Sequence, residues 1–483
     1  MSFLGIDLGT SGLRALLVSD SGSPLGATER HYRVSHPKSG WSEQDPADWI
    51  AALQGAVSEL RDTRPEFATL KGIGVAGHMH GATLLDAADQ VIRPCILWND
   101  TRSHAEAARL DAMPEFRATS GNIVFPGFTA PKLEWVRTHE PANFARIAHV
   151  LLPTAYLNLW LTGEHVADMS DSAGTSWLDT GGRDWSDDLL VAGHMRRNQM
   201  PRLVEGSQVA GRLRPELLRE WGLAGLVTVA GGAGDNAAAA CGIGAMKEGQ
   251  GFVSLGTSGV LLVARDGYRP APQTAVHTFC HAVPEKWYQM GVMLSATDSL
   301  NWLAQITGAS PSRLTSDLGT QLRRPGPVRF LPYLSGERTP HNDPLIRGSF
   351  TGIGSDTGRD DLTRAVLEGV AFGLRDSHEA LKVTGVRIDR LMAIGGGARS
   401  QTWLQIIATA LDVTLALPSD GEFGAALGAA RLGMVAAGAG PVDQVMTSPA
   451  TTTEIAPDPA LRDAFDAGYA AFRAAYPAIR AAQ

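Results

Sequence analysis

Asp7-Leu8-Gly9-Thr10-Ser11-Gly12 returns as Ser254-Leu255-Gly256-Thr257-Ser258-Gly259, close to half of the 483 residues further along. The surroundings repeat too. Each copy follows a short apolar run (Phe3 to Ile6; Gly251 to Val253) and precedes another (Leu13 to Val18; Val260 to Ala264). Each then reaches a polar turn containing glycine, Asp20-Ser21-Gly22 or Arg265-Asp266-Gly267. Both copies therefore read as strand, tight glycine turn, strand. Glycine lets consecutive backbone N–H groups face a ligand, and the flanking Thr and Ser add hydroxyl donors, so each turn suits anionic oxygens. One copy alone fits a plain glycine hairpin equally well. Two copies in two halves suggest a pair of turns gripping a polyphosphate from both sides. The copies differ where the first has Asp7 and the second Ser254, so only the first half offers a carboxylate to a metal bound to those phosphates.

Strand-like runs at Phe3–Ile6, Leu13–Val18, Gly72–Ala76, Thr83–Asp86 and Val227–Ala230 alternate with helical periodicity such as Ala47–Leu60. There Asp45 is a candidate cap and Pro46 fits the first turn. The second half continues with a helix over Asp361–Arg375, a strand over Leu391–Ile394 and a helix over Gln401–Leu411. This alternation predicts an α/β protein. The apolar spacing of Leu461, Phe465, Tyr469, Phe472, Tyr476 and Ile479 predicts a terminal helix on the second lobe, which Pro477 should kink or end. The expected boundary lies between 1–243, an N-terminal lobe, and 244–483, a C-terminal lobe with that helix.

The chain is 44% hydrophobic and 19% charged, with a net charge of −8 and no basic block, which argues against nucleic acid or an anionic membrane as partner. No apolar run is long enough for a bilayer span. Three widely spaced cysteines, Cys95, Cys241 and Cys280, fit a reducing compartment. With an N-terminus that runs straight into a strand, the expectation is a cytoplasmic protein.

The common phosphate loop is excluded, because the chain contains no Gly-Lys dipeptide. Gly72 to Gly77 spells G-x-G-x-x-G, but His78-Met79-His80-Gly81 and a further apolar run follow it instead of a helix, which argues against a dinucleotide site. His78 and His80 would share one face of an extended segment, yet no third ligand stands at a metal-binding spacing, so a polar pocket or a satisfied core suits them better. In Ala230-Gly231-Gly232-Ala233-Gly234-Asp235-Asn236 a strand runs into a glycine-rich bend that leaves Asp235 at the strand end, where α/β proteins bind ligands. Asp235 is the leading candidate for catalysis; the alternative is a helix cap. Ile394-Gly395-Gly396-Gly397-Ala398-Arg399-Ser400 offers bare backbone to a flat ring and an arginine to stack on it or reach phosphate, unless it is a simple strand-to-helix turn. Gly421–Ala430 reads as another close-packed helix beside the site.

In this order the pieces resemble the FGGY family of carbohydrate kinases, over nearly the whole chain. Gly127-Phe128-Thr129-Ala130-Pro131-Lys132-Leu133-Glu134-Trp135 and the stretch from Gly348 through Glu368 are similar to the family's two signatures. Trp41–Pro46, Met79–Leu85, Leu97–Asp100, Asp168–Asp171 and Phe330–Asn342 are most similar to members that act on D-xylulose. The resemblance implies duplicated actin-like ATPase lobes of ribonuclease H-like topology around a central cleft. It implies ATP-dependent phosphorylation of D-xylulose, with another ketose or polyol such as ribulose or a deoxy-sugar as the alternative acceptor. An actin-like assembly or chaperone ATPase is the rival from another class. It also implies Asp235 as catalytic base, with Asn236, Met79, His80 and Trp98 as further substrate contacts. Thr10, Ser11, Gly256, Thr257, Gly396, Gly397 and Arg399 would contact ATP, Asp7 would stand near Mg²⁺, and the protein would be a homodimer. Two positions depart from the pattern: His78 stands where such members often have Gln, and Ala233 lengthens the glycine bend.

Overall fold

The structure, a computed structural model, describes residues 1–419 and 424–483. The first sheet grows from the first copy of the repeated phrase. β1 (Ser2–Leu8) pairs antiparallel with β2 (Gly12–Ser19), and β2 with β3 (Pro24–His31). On its other side β1 runs parallel to β4 (Leu70–Gly77), which runs parallel to β5 (Thr228–Ala230). The edge strand Val209–Arg212 closes the row, and a two-residue strand, β6 (Ala233–Gly234), pairs with the end of β4. β6 leads directly into α1 (Asp235–Gly242).

The second sheet repeats this plan. β7 (Gly251–Leu255) pairs antiparallel with β8 (Gly259–Arg265), which pairs with Trp287–Met293. β7 lies parallel to β9 (Arg390–Ile394), followed by Thr414–Pro418 and the antiparallel Thr451–Ile455. In both sheets the repeated phrase joins the central strand to its antiparallel neighbour, and a parallel strand flanks it on the far side. This is the duplicated, actin-like architecture with a cleft between the lobes. The central strands are apolar on both faces because helices cover both, as parallel strands require.

Glycine sets how close those helices come. The helix α2 (Gly424–Ala436) belongs to the second half of the chain but lies on β1 and β4 of the first sheet. A Cβ on Gly5 would overlap the Ala426 carbonyl oxygen, and one on Gly74 that of Ala429. The G-x-G-x-x-G stretch is therefore strand β4, its glycines serving helix packing instead of a pyrophosphate. α1 meets α2 just as closely, since a Cβ on Gly428 would overlap the Ala238 carbonyl oxygen.

The helix expected over Ala47–Leu60 spans Pro46–Thr63, with the Asp45 carboxylate accepting from Ala47 N–H at 2.9 Å. The helix expected over Asp361–Arg375 runs longer, Arg359–Lys382. At the C-terminus Arg462–Ala482 is helical and buries Phe465 and Phe472 against the second lobe. Pro477 does not end it. Proline removes one N–H within a helix, and here the loss falls in the last two turns, on a largely exposed segment. Of the glycine- and alanine-rich stretch expected to be helical, residues 424–430 are so, while Gly421, Glu422 and Phe423 lie outside the described residues. No helix among the described residues is long and apolar enough to cross a membrane.

Candidate active site

Asp235 is the first residue of α1, and the helix-cap position before it is taken by Gly234. The bend that delivers it is built from constraints only small residues meet. Gly232 has φ 91°, and a Cβ there would overlap the Val75 carbonyl oxygen. A Cβ on Gly234 would lie 2.7 Å from Cγ of Met79. Ala233, the departure from the glycine pattern, pairs with Ala76 and is fully buried, so the extra residue becomes part of a strand.

Side chains brace the bend from behind. Asn158 Nδ2 donates to the Gly231 carbonyl at 2.8 Å, and Gly234 N–H donates to Ser170 Oγ at 3.2 Å. Ser170 Oγ in turn donates to Asp168, which also accepts from the N–H groups of Ser170 and Asp171. On Asp235 itself, Oδ1 accepts from Asn236 N–H at 2.7 Å and from Asn236 Nδ2 at 2.9 Å. Burial raises the Asp235 pKa from 3.8 to about 6 against those two hydrogen bonds, so the carboxylate is ionised at neutral pH and remains basic.

Asp7 lies in the same row of the sheet: it pairs with Ala76 of β4, and Ala76 pairs with Ala233 of β6. At roughly 4.8 Å per strand the row spans about 10 Å. Burial first, then the charge of Asp235, pushes the Asp7 carboxyl up to about 7, while its cross-strand partner Arg14 pulls it down. Two carboxylates that resist joint ionisation suit a cation between them.

Beyond β4, Met79 packs against Gly234 and, with His80, against Gly174, whereas His78 is turned into the core. His80 has φ 71°, which breaks the extended path, so the two histidines do not share a face. His78 is buried edge-on to Trp49, and burial, reinforced by the charge of Lys132, lowers its pKa to about 3. The His80 ring stacks on Phe128 with centroids 4.4 Å apart, and its Nδ1 is 2.7 Å from the Gly174 carbonyl. Burial likewise holds His80 neutral, at about 3. With Nδ1–H donating to Gly174, Nε2 is left as an acceptor. The His80 carbonyl accepts from buried Lys132 Nζ at 2.8 Å and from Thr129 Oγ1 at 3.2 Å. Met79 Sδ lies 3.7 Å from the hydroxyl of Tyr288, a second-lobe residue, so the pocket floor touches both lobes.

The two repeated turns are held differently. In the first, Tyr32 donates to the Gly9 carbonyl at 2.5 Å, Gln44 Nε2 to the Thr10 carbonyl at 2.6 Å, and Trp98 Nε1 to Thr10 Oγ1 at 3.0 Å. In the second, the start of the helix Thr297–Thr307 does the work: Thr297 N–H and Oγ1 reach the Gly256 carbonyl at 2.9 and 2.7 Å, and Ala296 N–H the Thr257 carbonyl at 2.8 Å. Carbonyls are thus tied back in both. Among the described residues, the N–H groups of Thr10, Ser11, Thr257 and Ser258 meet no acceptor.

Gly396–Arg399 forms a single 3-10 turn at the end of β9. Its glycines differ. A Cβ on Gly396 would meet nothing within 4 Å, whereas one on Gly397 would lie 2.8 Å from Leu255 Cβ. Gly396 and Arg399 line two adjoining cavities. One, of about 350 Å³, includes Thr297, Asn301 and Trp403; the other, of about 440 Å³, includes Arg14 from the first lobe. The first lies beside the start of the helix Thr297–Thr307, and the second reaches β2 through Arg14.

The sequence singles out residues on the glycine bend, on the two repeated turns and in the Met79–His80 segment. It gives no role to Asn158, Lys132, Asp168 or Ser170, which stand behind them. A buried lysine donating to a backbone carbonyl carries no sequence signal, because the same residue type is ordinarily exposed.

The N-terminal domain of the FGGY family of carbohydrate kinases matches residues 2–242, and the C-terminal domain of that family matches residues 251–437. The xylulose kinase of Escherichia coli (strain K12) is 48% identical over 437 residues, 90% of this chain and 90% of that one. Among solved structures, a xyloylose kinase from Brucella ovis superposes with a TM-score of 0.99 at 58% identity over 100% of both chains. A xylulose kinase from Rhodospirillum rubrum does so with a TM-score of 0.92 at 30% identity over 99% of each.

Proposed function

The chain belongs to the FGGY family of carbohydrate kinases, and we propose that it transfers the γ-phosphoryl group of ATP to D-xylulose, giving D-xylulose 5-phosphate and ADP. The observation that carries this reading is Asp235, held basic and ionised at the end of the glycine bend beside Asn236, Met79 and neutral His80. Kinship to xylulose kinases at up to 58% identity supports the choice of sugar.

Phosphoryl transfer depends on positioning and charge stabilisation more than on covalent catalysis. Asp235 orients the terminal hydroxyl of the ketose and accepts its proton as that oxygen bonds to phosphorus. His80 Nε2 accepts from a sugar hydroxyl, Asn236 and Met79 line the pocket, and Trp98 walls it where it meets the first turn. The turns at Thr10–Ser11 and Gly256–Thr257 present N–H groups to phosphate oxygens, those of Thr10, Ser11 and Thr257 being free of any other acceptor among the described residues. Gly396, Gly397 and Arg399 form the bed of the nucleotide. Asp7 fits Mg²⁺, since the charge of Asp235 that helps raise its carboxyl also favours a cation beside the two. When bound, Mg²⁺ neutralises charge on the phosphates. In this division residues 1–243 carry the sugar and base, and 244–483 the nucleotide. Lobe closure brings them together and excludes water. The enzyme works in the cytoplasm, in keeping with three buried, unpaired cysteines, and as a homodimer.

A coupled ADP-release assay over pentuloses, hexuloses and polyols tests the assignment. D-xylulose should give the highest kcat/KM. A preference for ribulose, a deoxy-sugar or a polyol would move the acceptor within the family. ATP turnover independent of any sugar, with polymer formation, would favour an assembly ATPase.

A further inference from the structure

The histidines adjacent in sequence, His78 and His80, part company in the fold, but a distant pair converges. His149 opens the strand His149–Leu151, His165 immediately precedes the strand Val166–Asp168, and Asp89 sits in the tight turn after Thr83–Leu85. One ligand atom from each lies within 4.8 Å of the other two. Asp89 Oδ1 is 2.8 Å from His165 Nε2, and the two imidazoles stack with centroids 4.1 Å apart.

Backbone pairing holds all three in place. Leu85 pairs with His149 across adjacent strands, and the His165 carbonyl accepts from Arg202 N–H at 3.0 Å. In the turn, Asp86 Oδ1 accepts from the N–H groups of Ala88 and Gln90, both at 3.0 Å. Asp89 has φ 58°, a left-handed conformation that Asp tolerates better than most residues. Asp89 is exposed and both histidines are half-buried, so an ion can enter from solvent.

We propose that Asp89, His149 and His165 bind one divalent transition-metal cation of the zinc class, at a site separate from the catalytic cleft. Two imidazoles and one carboxylate select Zn²⁺, Co²⁺ or Ni²⁺ over Mg²⁺, which takes oxygen ligands in octahedral geometry. Donors around a tetrahedral ion at about 2.1 Å stand about 3.4 Å apart, so side-chain rotation of roughly an ångström closes the set. The Asp89–His165 hydrogen bond gives way to the ion, and water completes the fourth position. The strand Val166–Asp168 ends at Asp168, which braces the Asp235 bend, whereas His165 stands at its other end. The ion therefore ties the outer ends of these strands and touches no reactant.

Chelator-treated full-length protein titrated with Zn²⁺ by calorimetry, and with Co²⁺ by visible absorption, tests the site. One equivalent of Zn²⁺ should bind in the micromolar range, Co²⁺ should show tetrahedral absorption bands, and Tm should rise with Zn²⁺ concentration. His149→Gln and His165→Gln should each weaken Zn²⁺ binding at least about tenfold, with metal-free Tm and turnover with Mg²⁺ and ATP unchanged. If one of these variants fails to fold, the other and Asp89→Asn carry the comparison. Absence of stoichiometric binding, or undiminished binding in a folded variant, would overturn the site. Loss of turnover in a folded variant would overturn its separation from the cleft.

Discussion

The turns Gly9–Ser11 and Gly256–Ser258 share one sequence and one strand-turn-strand setting, yet the protein braces them by different means. The first leans on side chains from three separate places in the chain, Tyr32, Gln44 and Trp98. The second leans on the start of one helix, mostly through backbone N–H groups. The strand entering the first carries Asp7, in register with the bend that delivers Asp235; the strand entering the second carries Ser254, paired with Val260. On the proposed reading, a duplicated turn is a neutral platform, and what surrounds it would decide whether it serves a metal and an acceptor or only the nucleotide.

Exchanging the distinguishing residues strikes this comparison hardest. Asp7→Ser should lower turnover about 10²-fold, and adding Ser254→Asp should not restore it, because Ser254 has no partner like Asp235. Recovery to near wild-type rates in the double variant would mean the lobes are interchangeable at this position. Next comes pH. Because Asp235 must be ionised to accept a proton, kcat/KM should fall about tenfold per pH unit as the pH drops below about 6. A flat profile down to pH 5 would contradict the base assignment. Gly396→Val should then raise KM for ATP about tenfold with the sugar KM unchanged, since a side chain there enters the open cavity. By contrast Gly397→Ala, which meets Leu255, should chiefly lower Tm. The smallest effects separate the two braces. Trp98→Phe removes the N–H donated to Thr10 and should reduce kcat/KM about fivefold, a loss of about 1 kcal/mol. Thr297→Ala should do less, because the backbone N–H still holds the Gly256 carbonyl.

Much of this was legible in the chain. The repeat places both central strands, and the glycine bend places Asp235, because turn chemistry is local and glycine marks it. Tertiary contacts decide three points that local reading left conditional. His78 and His80 read as one face only while the segment is taken as extended, and His80 is held left-handed by Phe128 and Gly174. Gly72 and Gly74 match a dinucleotide motif whose sequence context already argues against it, and helix α2, far away in sequence, supplies the packing role they serve instead. Pro477 reads as a helix end on local grounds, yet the helix continues to Ala482. The braces behind Asp235 were illegible for a related cause: Ser170, held by Asp168, meets Gly234 across more than sixty positions, and nothing local in Asp168-Met169-Ser170 announces that contact.

Stability and catalysis should part at Asp235. Its folded pKa lies above the ordinary 3.8, so ionising it in the fold costs stability as the pH rises from about 4 to about 6, and in full above that. Asp235→Asn should accordingly raise Tm by a few degrees at pH 8 and change it little at pH 4.

The most direct test of the account is single-turnover transfer from ATP to D-xylulose by Asp235→Asn, measured by rapid quench beside calorimetric binding of the sugar. The account predicts a transfer rate about 10²- to 10⁴-fold below wild type, with sugar affinity within about threefold. A rate within tenfold of wild type would contradict it.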